Sequence, residues 1–139
     1  RTQGLETGIK WQASSALALN AGYTFTAAED LDTGAELTRR PRSIARIGAD
    51  WRLLPATELS LRARYQSSEL AASTSPARSP AWATLDFVIN QKLGRDVTAF
   101  LGVKNLFNRQ RDFSNASDFA PVAGRFLYVG ARISLDPVH

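Results

Sequence analysis

The sequence predicts an all-β chain, an antiparallel up-and-down transmembrane β-barrel segment of about seven strands. Three observations predict it. Apolar and polar residues alternate with a period of two through successive segments, as side chains do on opposite faces of a strand. One parity is aliphatic along its length, whereas the other mixes glycine, hydroxyls and full charges, which suits a wall between hydrocarbon and water. The breaks between segments run short, long, short, long, short, long, an order that a soluble meander has no reason to adopt.

The first strand sets Leu5, Thr7, Ile9 and Trp11 against Gly4, Glu6, Gly8, Lys10 and Gln12, and Ser14-Ser15 turns the chain. The second sets Leu17, Leu19, Ala21, Tyr23 and Phe25 against Ala18, Asn20, Gly22, Thr24 and Thr26. A long polar connection, 28–40, ends at Pro41. The third strand sets Ala45, Ile47, Ala49 and Trp51 against Ile44, Arg46, Gly48, Asp50 and Arg52, with Pro55 in the next short turn. The fourth sets Leu59, Leu61, Ala63 and Tyr65 against Glu58, Ser60, Arg62, Arg64 and Gln66, before a Ser-, Ala- and Pro-rich connection over 67–80. The fifth sets Ala83, Leu85, Phe87 and Ile89 against Trp82, Thr84, Asp86 and Asn90, with Val88 the exception on the polar face. Gly94-Arg95-Asp96 makes the third short turn. The sixth sets Val97, Ala99, Leu101 and Val103 against Thr98, Phe100, Gly102 and Lys104. A loop over 109–123 leads to the last strand, in which Leu127, Val129, Ala131, Ile133 and Leu135 oppose Phe126, Tyr128, Gly130, Arg132 and Ser134.

Aromatic placement agrees with a membrane wall. Trp11 and Trp51 lie on the apolar parity near short turns, and Tyr23, Phe25 and Tyr65 lie on it near long loops. That is two girdles flanking an aliphatic band. The polar parity carries too many charges, among them Arg46, Asp50, Arg62, Arg64 and Asp86, for the packed interior of a small soluble barrel. Periodicity does not say which face is inside, so a soluble barrel or sandwich with an aliphatic interior is the competing architecture.

The motif Asn105-Leu106-Phe107-Asn108 at a strand end, the loop after it and the Gly124-Arg125-aromatic start of the last strand together resemble the carboxyl end of TonB-dependent outer-membrane receptors. Tyr23-Thr24-Phe25 and the segments 37–41 and 82–86 extend the resemblance over nearly the whole chain. It implies a bacterial outer-membrane location, short periplasmic turns, long extracellular loops, and import of a scarce ligand such as a ferric siderophore or cobalamin. The partners it implies are outer-membrane lipid and lipopolysaccharide, the remaining barrel strands, a plug domain, and TonB acting through an upstream region. Residues 1–135 are then the C-terminal portion of the barrel and 136–139 a short tail, with the plug absent from this stretch. A small self-contained outer-membrane barrel for adhesion or lipid binding, and a soluble β-barrel carrier, are the alternatives.

The 139 residues contain no cysteine, which excludes thiol catalysis, disulfides and Cys-ligated zinc, and the single histidine is His139. Nothing supports an enzyme or a bound cofactor. Glu29, Asp30 and Asp32 share a loop and read as solvated rather than as a cation site. The net charge of +4 comes from 17 basic residues scattered among 13 acids, not the clustered patch of a nucleic-acid binder. Near the outer rim, Arg39, Arg40, Arg78, Arg109, Arg111 and Arg125 are the candidate ligand contacts, since guanidinium suits an anionic iron chelate. Pairing with loop acids or with lipopolysaccharide phosphates is the other use for these cations.

Overall fold

The computed structural model describes residues 1–73 and 75–134. Its strands are β1 (Thr2–Gln12), β2 (Leu17–Ala28), β3 (Ser43–Leu54), β4 (Thr57–Gln66), β5 (Glu69–Ala72), β6 (Ser75–Ser79), β7 (Trp82–Lys92), β8 (Val97–Lys104) and β9 (Phe126–Ile133). β1-β2-β3-β4-β7-β8-β9 form a seven-stranded sheet in which every neighbouring pair is antiparallel. β5 and β6 pair with each other inside the connection read from sequence as irregular. That hairpin carries alanine, serine and Pro76 where strands normally carry β-branched and aromatic residues, so local propensity does not announce it. The expected end of the last strand at Leu135 and the tail 136–139 lie outside the described residues.

Register keeps the two faces separate across the whole sheet. Trp11, Leu19, Ala49, Leu61, Phe87, Val103 and Leu127 form one continuous row, each paired with the next. On the row toward the long loops, Ile9, Ala21, Ile47, Ala63 and Leu85 follow one another in the same way. A slip of one residue in any pair would break both rows, because it turns a strand's whole apolar set to the other face. Nothing among the described residues covers these rows: Ile9 is 64% exposed, Ile47 59% and Leu127 62%. A soluble sandwich would bury them, whereas hydrocarbon is the solvent that tolerates a bare aliphatic sheet face.

The girdles fall where the sequence puts them. Leu17 pairs with Trp51, and Trp11 with Leu19, beside the short turns. Tyr23 pairs with Ala45, which pairs with Tyr65, toward the long loops, and Tyr23 Oη lies 2.8 Å from Ser43 Oγ. Short turns at 13–16, 55–56 and 93–96 share one end of the sheet; long loops at 29–42, 67–81 and 105–125 share the other.

The polar face is made by paired charges and by rings laid on glycines. Arg62 Nη2 donates to both Asp50 carboxylate oxygens at 2.7 and 2.8 Å, and Ser60 Oγ donates to the same side chain at 2.7 Å. On β8 and β9 the Tyr128 ring occupies the space where a Cβ on Gly102 would stand, and Phe100 stands 2.5 Å from the Cβ position of Gly130. Gly102→Val is expected to displace the Tyr128 ring and lower barrel stability by about 1–3 kcal/mol. Gly94→Ala, in a turn with nothing within 4 Å, is the neutral control, and urea unfolding of the full-length protein in detergent compares them.

β1 and β9 each pair on one side only and, in a sheet of seven antiparallel strands, run the same way. In hydrocarbon each unpaired backbone group at these edges costs several kcal/mol. A sheet placed there would need pairing partners along both edges.

Candidate ligand-facing rim

The buried apolar side chains among the described residues gather at the long-loop end of the sheet and in the loops beyond it. Ala28, Ala71, Trp82, Ala120, Ser79 and Asp118 are all buried, and all sit at the long-loop end. Loop 105–125 is closed by the Asn-Leu-Phe-Asn motif. Asn105 and Asn108 both have a left-handed backbone, φ 51° and 54°, a conformation asparagine tolerates better than most side chains. Asn105 Nδ2 donates to the carbonyls of Arg109 and Ala123, both at 2.7 Å, and its Oδ1 accepts from Arg109 N at 2.9 Å. Asn108 Oδ1 accepts from Arg125 N at 2.8 Å. Both ends of the loop are thereby tied to one motif, and Asp86 Oδ1 holds that motif to β7 by accepting from Asn105 N.

Inside the loop Asp118 is fully buried and accepts from Asp112 N, Ala120 N and Arg109 Nη2 at 2.9, 2.9 and 3.0 Å. Burial pushes its carboxyl up, but those donors and the Arg109 charge outweigh it and hold the group below the usual aspartate range. Glu36, in loop 29–42, accepts from Arg78 Nη1 and Nη2 at 3.1 and 2.9 Å and from Arg42 Nη2 at 3.1 Å. The Arg78 hydrogen bonds, opposed by partial burial, lead the causes that depress its carboxyl. A depressed acid stabilises the fold above its ordinary value and loses that contribution as pH falls through the lowered one. The tie between loops 29–42 and 67–81 is therefore expected to hold from neutral pH down to the ordinary glutamate value of 4.5 and to loosen only below it. Hydrogen exchange of the 67–81 amides in the full-length protein, followed into acid, checks this.

The six arginines expected at the rim are placed by the loops in three ways. Arg78 is neutralised by Glu36 and Arg109 by Asp118. Arg39 and Arg111 lie against one ring, Phe119, at 5.0 and 5.8 Å from its centroid. Arg40 and Arg125 are exposed, and their side chains make no hydrogen bond or ion pair among the described residues. The Asp30 carboxylate, part of the loop acid cluster, is occupied by the N–H groups of Asp32 and Thr33. Sequence reasoning missed Phe119, Asp118 and Glu36 as organisers of the rim, and no local pattern marks them, because their partners are distant in sequence or irregular in spacing. It also missed the groove of about 580 Å³ beneath the third long loop, where Arg64 stacks over Trp82 at 5.2 Å between Asp86, Lys104 and Pro121.

Against this geometry the sequence matches, over residues 1–106, the family model described as TonB dependent receptor-like, beta-barrel. The chain belongs to that family. No functionally curated protein matches it. Among solved structures, the siderophore receptor PiuA from Acinetobacter baumannii superposes with a TM-score of 0.77 at 19% identity, over 95% of this chain and 21% of that one. A mutant of the ferric enterobactin receptor PfeA from Pseudomonas aeruginosa gives 0.76 at 16% identity, over 96% and 22%. The ferric-catecholate import receptor Fiu from E. coli K12 gives 0.74 at 19% identity, over 95% and 20%. The chain thus spans about a fifth of each of these receptors, and at such identities the TonB-dependent barrel fold is what they share. The antiparallel barrel segment expected from sequence is the fold observed.

Proposed function

We propose that this chain is the C-terminal barrel portion of an outer-membrane receptor, 1–135 forming wall and loop cap and 136–139 a tail, that imports a scarce anionic ligand such as a ferric siderophore. The single observation that carries the reading is a family-matched sheet whose bare aliphatic face ends in a packed cap of cation-bearing loops. In this reading the apolar face meets lipid, the short turns face the periplasm and the long loops face outward, with lipopolysaccharide beside the rim. A plug and TonB act through parts of the protein beyond these residues. The role is passage and gating rather than catalysis. The similar receptors are receptors for ferric enterobactin and ferric catecholate, which favours an iron chelate over cobalamin, and the rim arginines suit its charge. The bare aliphatic face weighs against a soluble carrier, and the two open edges weigh against a self-contained small barrel.

An antibody against loop 109–123, applied to fractionated source cells, tests this. The expected result is an outer-membrane band several times heavier than 15.2 kDa. A soluble band would remove the receptor reading, and an outer-membrane band at the mass of this chain would replace it with a small barrel.

A further inference from the structure

The loop cations differ in what holds them. Arg42 and Arg78 share the single Glu36 carboxylate, which offsets one of their two charges and occupies both side chains, and Arg109 is paired one-to-one with Asp118. Arg39 and Arg111 come from different loops, form no ion pair among the described residues, and are held instead by the Phe119 ring. Arg111 also lies over Phe113 at 5.3 Å, and its Nε is shut away with no hydrogen-bond partner. The acid that acts on Arg39 is Glu69, which is itself buried; burial pushes its carboxyl up, against the pull of Arg39, which weakens its power to offset that cation. A ring face orients a guanidinium without cancelling its charge and leaves its N–H edge available.

The ring is itself fixed. Phe119 N donates to Ser79 Oγ at 3.0 Å, across to the second long loop, and the preceding residue is the buried Asp118. Arg39 is fixed at its backbone, where its N–H donates to Leu70 O at 2.9 Å. Phe119 is thus a residue at which all three long loops meet: its ring faces Arg39 and Arg111, and its backbone N–H donates to Ser79. We infer that Phe119 is a positioning residue that holds Arg39 and Arg111 as the two arms of a clamp for a compact, multiply charged anion approaching from the long-loop side. The clamp rests on the receptor reading above and deepens it, since it selects two of the six rim arginines as the ligand contacts.

The test is equilibrium binding to the full-length receptor in detergent, with ferric tris-catecholate, ferric citrate and pyrophosphate as probes. At least one anion is expected to bind the wild type. Phe119→Leu is expected to weaken that binding about tenfold, while Phe119→Tyr, which keeps the ring face, stays within about twofold. In the Arg39→Gln/Arg111→Gln background the Phe119→Leu change is expected to have no further effect, because the ring acts only through the two guanidiniums. Failure of all three anions to bind the wild type would sink the receptor reading and the clamp together. Binding that Phe119→Leu leaves unchanged overturns the clamp and spares the receptor reading. A Phe119→Leu loss that persists in the double-glutamine background, or that tyrosine does not rescue, also overturns it, since the ring would then merely support the cap.

Discussion

Ile47→Arg is expected to lower the stability of the assembled barrel by about 2–4 kcal/mol, and Arg46→Ala, one residue away, by far less. Ile47 sits in mid-strand on the aliphatic face, paired with Ala21 and Ala63, and is 59% exposed among the described residues. In a bilayer that exposure is to acyl chains, and a guanidinium there has to reach an interface or drag water inward. Arg46 projects from the other face between Gly22 and Arg64, so its removal also relieves a like-charge pairing with Arg64. Urea titration of the full-length protein refolded into liposomes measures both variants. Equal costs at the two positions would mean that the faces are assigned wrongly, and a larger cost for Arg46→Ala would turn the wall inside out.

What the sequence made legible follows from which interactions are periodic. A strand in a membrane wall meets two solvents, and that repeats every second residue, so the seven sheet strands, their faces and the girdles built on Trp11, Trp51, Tyr23 and Tyr65 could all be read by parity. Loop lengths gave the two ends in the same way. The cap was not legible, because it is held by contacts such as Phe119 N to Ser79 Oγ and Arg78 to Glu36, which join residues 40 and 42 positions apart with no local pattern. The hairpin of β5 and β6 was hidden for a different reason: its pairing is local, but Glu69 and Ser79, both buried by the surrounding loops, are residue types that do not favour a strand. The rim arginines were visible as a residue type in loops. Whether each faces a carboxylate, a ring or solvent depends on the cap, so their chemistry could not be divided before the cap was seen.

The Asn-Leu-Phe-Asn motif lies between these cases, recognisable in sequence but physically opaque until folded. Asn105→Ala is expected to melt loop 105–125 locally, at a cost on the order of 4 kcal/mol. The side chain is only 4% exposed, and truncation removes three hydrogen bonds, leaving the carbonyls of Arg109 and Ala123 and the Arg109 N–H without that partner. Alanine also resists the left-handed φ of 51° that asparagine accepts. Asn105→Gly separates the two contributions, since glycine adopts that backbone freely but makes none of the bonds, and it is expected to recover about 1 kcal/mol of the loss. Because the loop hangs from the sheet rather than forming it, the loss should read as faster hydrogen exchange at Arg109, Asp112 and Ala120, with the β-sheet amides unchanged. Exchange that stays slow in Asn105→Ala would show that Asp118 alone holds the loop. Exchange that rises in the sheet as well would make the motif part of the barrel's own cooperative unit.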